Sequence, residues 1–156
     1  TDRAVIEALL QVQQEGARGI VIDLRSNPGG YMNTVVNITS QFLEHGLVVY
    51  ELDGRGNRTN WNVRRGGVAT EIPVVILVNE YSASGSEVLA GALQDHNRAK
   101  VIGTTTFGKG SVNLFKGLVD GGGLYFTYAL WYTPNGTLIV SIVFAIIFIS
   151  FNLSLS

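Results

Sequence analysis

Cysteine is missing from all 156 residues. Disulfides, thiolate metal sites and a cysteine nucleophile are therefore excluded. Charge is scarce as well. Charged residues make up 15% of the chain and the net charge is −1. No basic patch invites a nucleic acid, and no acidic run marks a solvated tail. Histidine occurs only at His45 and His96, in no spacing that holds a metal. Each follows an acidic residue near the end of a predicted helix, where capping accounts for it. Every Asp, Glu, Lys, Arg and His lies at or before Asp120. No signal-peptide pattern opens the chain at Thr1, which runs directly into a helical pattern.

What is present suits one domain with a real core. Hydrophobic residues make up 46%, and the 19 glycines gather in short loops as turn and site residues. Residues 2–16 carry Ala4, Ile6, Leu9, Leu10 and Val12 on one side of a helix, and Gly16 and Gly19 bracket its end. Ile20 to Leu24 is a short apolar run before a turn cluster and predicts a buried strand. Residues 32–44 show helical spacing. Further strands are predicted at Leu47–Tyr50, Val74–Val78 and Val101–Gly103, with a helix from Ser84 to His96. A polar hairpin is expected around Asp53–Asn60, and strand pairs at Val112–Leu118 and Leu124–Tyr132. Alternation of strand and helix indicates an α/β domain with a partly parallel sheet. In such sheets, sites form at the carboxyl ends of strands. Three suspicious loops sit there: 25–30, 79–84 and 104–109.

The loop Ser82-Ala83-Ser84-Gly85-Ser86-Glu87 precedes a helix. A serine at that point faces free N–H groups and the positive end of the helix dipole. Ser84 and Glu87 also form S-x-x-E, a capping box, so a cap and a nucleophile both fit. Ser82, Ser86 and Ser111 are rival serines. The stretch from Gly103 to Ser111 nearly matches G-x-x-x-x-G-K-[ST], but Gly110 stands in the Ser/Thr place. A phosphate loop must also enter a helix, and a strand is predicted instead. Lys109 is then either a lysine in a tight loop or a catalytic base. Packing among apolar groups would lower its proton affinity and suit it to the second role. In Asp23 to Gly30, paired glycines expose backbone N–H groups in a strand-to-loop turn.

Together these segments resemble the C-terminal processing peptidases, also called tail-specific proteases. The resemblance is carried by Gly19 to Gly30, Val78 to Glu87, Ala90 to Asp95 and Phe107 to Val112, with a weaker piece at Tyr132 to Gly136. It implies a crotonase/ClpP-like catalytic core over 1–136 and a serine endopeptidase acting near the C-termini of proteins. It implies Ser84 as nucleophile, Lys109 as general base, and an oxyanion hole from the N–H groups of Gly30 and Gly85. The family usually has alanine where Gly85 stands. It usually has a glutamine where Asn113 stands, and the resemblance makes Asn113 the residue that orients the lysine. No cofactor and no metal is called for. The partners implied are protein or peptide substrates with accessible C-termini, and an oligomer is compatible. The implied location is exported: periplasm, cell envelope or thylakoid lumen. The PDZ domain usual in the family has no counterpart here.

Residues 138–155 are almost wholly apolar. Their 18 residues are long enough to cross a bilayer as a helix, which would permit membrane association. No Lys or Arg flanks them, and their β-branched content suits a buried strand. A third reading makes 137–156 a tail that is not the native continuation, because the resemblance stops near Gly136. Two rivals to the peptidase remain. One is a peptide-binding module of the same fold with an impaired site, using strand addition at a sheet edge. The other is an acyl-CoA enzyme of crotonase type, which leaves the Ser84–Lys109 pair unexplained.

Overall fold

The computed structural model describes residues 2–119 and 121–141. Helix α1 (Asp2–Gln14) leads into strand β1 (Ile20–Asp23), and α2 (Met32–Thr39) follows. A hairpin of β2 (Leu47–Asp53) and β3 (Arg58–Asn62) comes next. Strand β4 (Val74–Val78), helix α3 (Gly85–Asp95) and strand β5 (Ala99–Gly103) make a βαβ unit. The hairpin of β6 (Ser111–Gly117) and β7 (Gly123–Tyr132) precedes a single 3-10 turn at Ile139–Ser141.

The strands divide into two sheets. One is parallel, ordered β1-β4-β5, with Ile22 beside Ile76 and Ile76 beside Val101. The other is antiparallel, ordered β3-β2-β7-β6. The division follows from the connections. Helical crossovers join β1, β4 and β5, whereas short turns join β2 to β3 and β6 to β7. Helix α3 is buried on every side from Gly85 to Leu93. Its small residues Ala90, Gly91 and Ala92 allow that close packing.

Helix α2 stops at Thr39, five residues before the helical spacing ends. The hydroxyls of Thr39 and Ser40 donate to Val35 O at 2.8 Å and Val36 O at 2.6 Å. Such back-bonding competes with helix continuation. The N–H groups of Gln41 and Phe42 then close tighter turns onto Ile38 O and Thr39 O.

The core is built from Phe42, Val48, Val49, Ile76 and Leu93, with Ile139 fully buried among them. The fold therefore uses residues beyond Gly136, and Leu138 bridges to Tyr132. Residues 142–156, the larger part of the apolar segment, lie outside the described residues. Among the described residues no helix is long and apolar enough to cross a membrane. Arg98 ties the far end of α3 to its surroundings. Its guanidinium donates to Phe42 O, Ala69 O and Ile72 O. Desolvation there lowers its pKa from the ordinary arginine value.

Candidate active site

Loops 24–31, 79–84 and 104–110 meet at the carboxyl ends of β1, β4 and β5. Backbone and side-chain hydrogen bonds lace them together. Ser26 N–H donates to Asn79 Oδ1 at 2.8 Å, Ala83 N–H to Asn27 O at 3.1 Å, and Phe107 N–H to Ser82 O at 3.0 Å. The Asp23–Arg25 pair stands at the root of the first loop, with Arg25 Nε and Nη2 2.9 and 2.7 Å from the carboxylate. Hydrogen bonds from the Arg25 side chain and backbone pull the Asp23 carboxyl down to about 2.

The structure sorts the rival serines. Ser82 is fully buried, and its hydroxyl donates to Leu24 O at 2.7 Å. The Ser86 hydroxyl donates to Asn27 O at 3.0 Å. Ser111 Oγ accepts from Asn113 Nδ2 at 3.1 Å. The first two hold one loop to another. Ser84 instead stands half-buried at the start of α3 with φ +54° and ψ −115°. That positive φ is strained for a residue with a Cβ. A sharp strand-to-helix turn of this kind lifts a serine hydroxyl out of the backbone around it.

Two free donors flank Ser84. Ser86 N–H and Glu87 N–H are satisfied by Ala83 O and Ser84 O. The N–H groups of Gly85 and Gly30 donate to no protein acceptor among the described residues. The two glycines are neighbours: a Cβ built on Gly85 would lie 3.1 Å from Gly30 N. It would also meet Val35 Cγ2 at 2.5 Å, so an alanine does not fit here without a shift of Val35. Gly29, at φ +92°, could not carry a side chain either, because its Cβ would stand 2.5 Å from Gly85 N. An apolar cavity of about 430 Å³ opens beside this pair, walled by Leu24, Val35, Ile38 and Leu89.

Sequence reasoning assigned Glu87 only half of a capping box. Its carboxylate does accept from Ser84 N–H, at 2.8 Å. It also accepts from the Thr106 hydroxyl and Gly108 N–H at 2.6 Å each, and from Lys109 N–H at 2.8 Å. Glu87 is fully buried. Its partners are all donors, which suits an acceptor-only carboxylate. One side chain thus fixes the serine loop against the lysine loop. The signal was present as a glutamate three positions after a serine, but the long-range partners leave no local trace.

Lys109 sits where its loop turns into β6, and the following strand rules out a phosphate loop. Its side chain is exposed, not packed among apolar groups. Asn113 lies at a bulge in β6. Its amide donates to Ser111 Oγ, and its oxygen accepts from Thr127 Oγ1 at 2.6 Å, so among the described residues its partners are these two rather than Lys109. His45 is exposed, and His96 Nε2 pairs with Leu47 O at 2.8 Å, both away from these loops. Among the described residues no cluster of His, Asp and Glu could hold a metal.

Known proteins resemble this chain in sequence and fold. The profile of Peptidase family S41 matches residues 1–143, which carries the likeness past Gly136. A carboxy-terminal-processing protease of Bartonella bacilliformis is 41% identical over 89% of the chain and 32% of its own length. A carboxyl-terminal-processing protease of Synechocystis is 41% identical over 85% of the chain and 31% of its own length. The solved structure of a photosystem II D1 C-terminal processing protease superposes with a TM-score of 0.85 at 36% identity. That match covers 92% of this chain and 37% of the other. The chain spans about a third of the relatives it matches.

Proposed function

We propose, from the premise that the chain belongs to peptidase family S41, that it carries the catalytic core of a serine endopeptidase acting near the C-termini of proteins. The strained backbone of Ser84, flanked by two unengaged N–H groups, is the observation that carries this reading. A neutral Lys109 takes the proton from Ser84 Oγ as the oxygen attacks the scissile carbonyl. The N–H groups of Gly30 and Gly85 hold the developing oxyanion, whose stabilisation is usually the largest single contribution to such a reaction. As the carbon–nitrogen bond breaks, Lys109 returns its proton to the leaving amine. Water then attacks the acyl-enzyme, with Lys109 again taking and returning a proton.

Exposure of Lys109 in this chain bears on that role. A lysine in water is a poor base near neutral pH, so the proposal requires bound substrate to exclude water from around Lys109. Asn113 is proposed to act at one remove. By bonding Ser111 and Thr127 it holds the root of β6, and with it the Lys109 loop. The apolar cavity beside Gly30 and Gly85 suits the side chain that precedes the scissile bond. An exported location, as in the family resemblance, goes with this proposal. The second reading, a peptide-binding module without turnover, is favoured by the exposed Lys109.

The test is cleavage of an unfolded peptide with an apolar C-terminus by the unmodified chain, Ser84→Ala and Lys109→Ala. Turnover by the first alone supports the dyad. Equal turnover by all three sinks the site assignment, and binding without turnover selects the second reading.

A further inference from the structure

Strand β6 begins two residues after Lys109 and forms one edge of the antiparallel sheet. At the far end of the hairpin Leu118 N–H donates to Gly122 O. Residues of the same parity, Leu114 and Lys116, therefore turn their backbone groups toward β7, and those of Phe115 and Gly117 point outward. An edge of this kind is a template for another strand, and natural edges are blunted by charge or proline. Here the described residues of the hairpin hold Lys116 and no proline. Leu114, Phe115, Leu118, Leu124, Tyr125 and Phe126 are all exposed, an apolar concentration that marks an interaction surface.

The geometry points to β6 as the docking strand for the substrate: an extended apolar peptide segment adds antiparallel to the edge that no other strand of the described residues pairs with. This rests on the peptidase reading above. The commitment to substrate comes from continuity, because the edge runs directly out of the Lys109 loop. Strand β6 runs away from Lys109, so an antiparallel partner runs toward it. The residues that precede the scissile bond lie along β6, and the scissile carbonyl arrives beside Ser84. Main-chain hydrogen bonds hold such a partner, and the side chains along the edge select an apolar one.

The probe is an acetylated decapeptide of alternating valine and threonine ending in alanine, added to the full chain carrying Ser84→Ala. Amide exchange at Phe115 and Gly117 is expected to slow on binding. N-terminal extension should tighten binding and C-terminal extension should not. N-methylating alternate peptide amides, which removes hydrogen bonds without touching the protein, should weaken binding about fivefold per lost bond. Protection of the β1 or β3 edge instead, indifference to N-methylation, or absence of binding overturns the proposal. So does protection of β6 that rises with protein concentration without peptide, which would mark a second copy as the occupant. Cleavage by the unmodified chain with β6 unprotected leaves the peptidase reading standing and removes this one. Protection of β6 without any cleavage leaves a peptide-binding edge standing but removes both the peptidase reading and the role of β6 as its substrate strand.

Discussion

Ser84 and Lys109 hang their backbone N–H groups on the same oxygen, Oε2 of Glu87, at 2.8 Å each. The other oxygen holds Thr106 and Gly108. The distance between a serine loop and a lysine loop is therefore set by one buried carboxylate. On the proposed Ser84–Lys109 chemistry this spacing matters, because misplacement of reacting groups by about 1 Å can cost on the order of a hundredfold in rate.

Glu87→Gln tests it. The amide keeps the shape but aims an NH2 group at N–H donors. We expect turnover to fall by about a hundredfold or more through kcat with KM nearly unchanged, and stability to fall by about 2–4 kcal/mol. Peptide kinetics and urea unfolding of the same sample check both. Unchanged kcat alongside lost stability would make Glu87 structural only.

The serines should separate by readout. Ser82→Ala removes the bond to Leu24 O and strips Asn79 N–H of the hydroxyl it donates to at 3.0 Å, at a cost of about 1–3 kcal/mol. Its kcat should remain within a few-fold of the unmodified chain, on the order of what small loop shifts cause. Ser84→Ala should abolish turnover and cost no more than about 1 kcal/mol in urea, the weight of its side chain's half of the capping box with Glu87.

Gly85→Ala introduces a methyl group 2.5 Å from Val35 Cγ2. Overpacking of a filled core costs about 1–3 kcal/mol. The double variant with Val35→Ala should recover most of that loss, and a double-mutant cycle in urea measures the coupling. Additive losses would mean that the strain lies elsewhere.

Asp23 predicts a pH dependence. Arg25 holds its carboxyl at about 2 in the folded chain, against about 3.9 when unfolded. A depressed folded value stabilises above the unfolded pKa, and that stability is lost as pH falls toward 2. The stability difference between the unmodified chain and Asp23→Asn should thus be constant above pH ~5 and shrink between pH ~4 and ~2. The pair is exposed, so the whole difference should be small. A difference that grows on acidification would contradict the assignment.

Arg98→Met strips three carbonyl oxygens of their donor. A loss of about 2–4 kcal/mol is expected, and Arg98→Lys should recover little of it, since a point charge cannot reach three acceptors as a planar fork does. Thermal melting checks this, with KM as the control that should not move.

Local pattern determined most of the elements. Apolar runs bounded by Gly, Pro and Ser marked β1, β4 and β5, and helical spacing marked α1 and α3, because strand and helix periods are properties of neighbouring residues. The order of the loop motifs also pointed to the family, and Gly30, Ser84, Gly85 and Lys109 came from it. Several decisions belonged to the tertiary structure. The strands separated into two sheets because pairing depends on how crossovers and hairpins bring them together. Helix α2 ended at Thr39 because two hydroxyls found carbonyls one turn back. Ser82 and Ser86 left the list of nucleophiles because their partners, Leu24 and Asn27, lie nearly sixty positions away. Glu87 acquired its role for the same reason: four donors from two loops converge on it only after folding. Ile139 entered the core although its segment read as a membrane span, a buried strand or a non-native tail, because an apolar run carries no label for what it will pack against. Hydrogen bonds and burial between distant segments are set by the fold, and a single sequence read along its length does not display them.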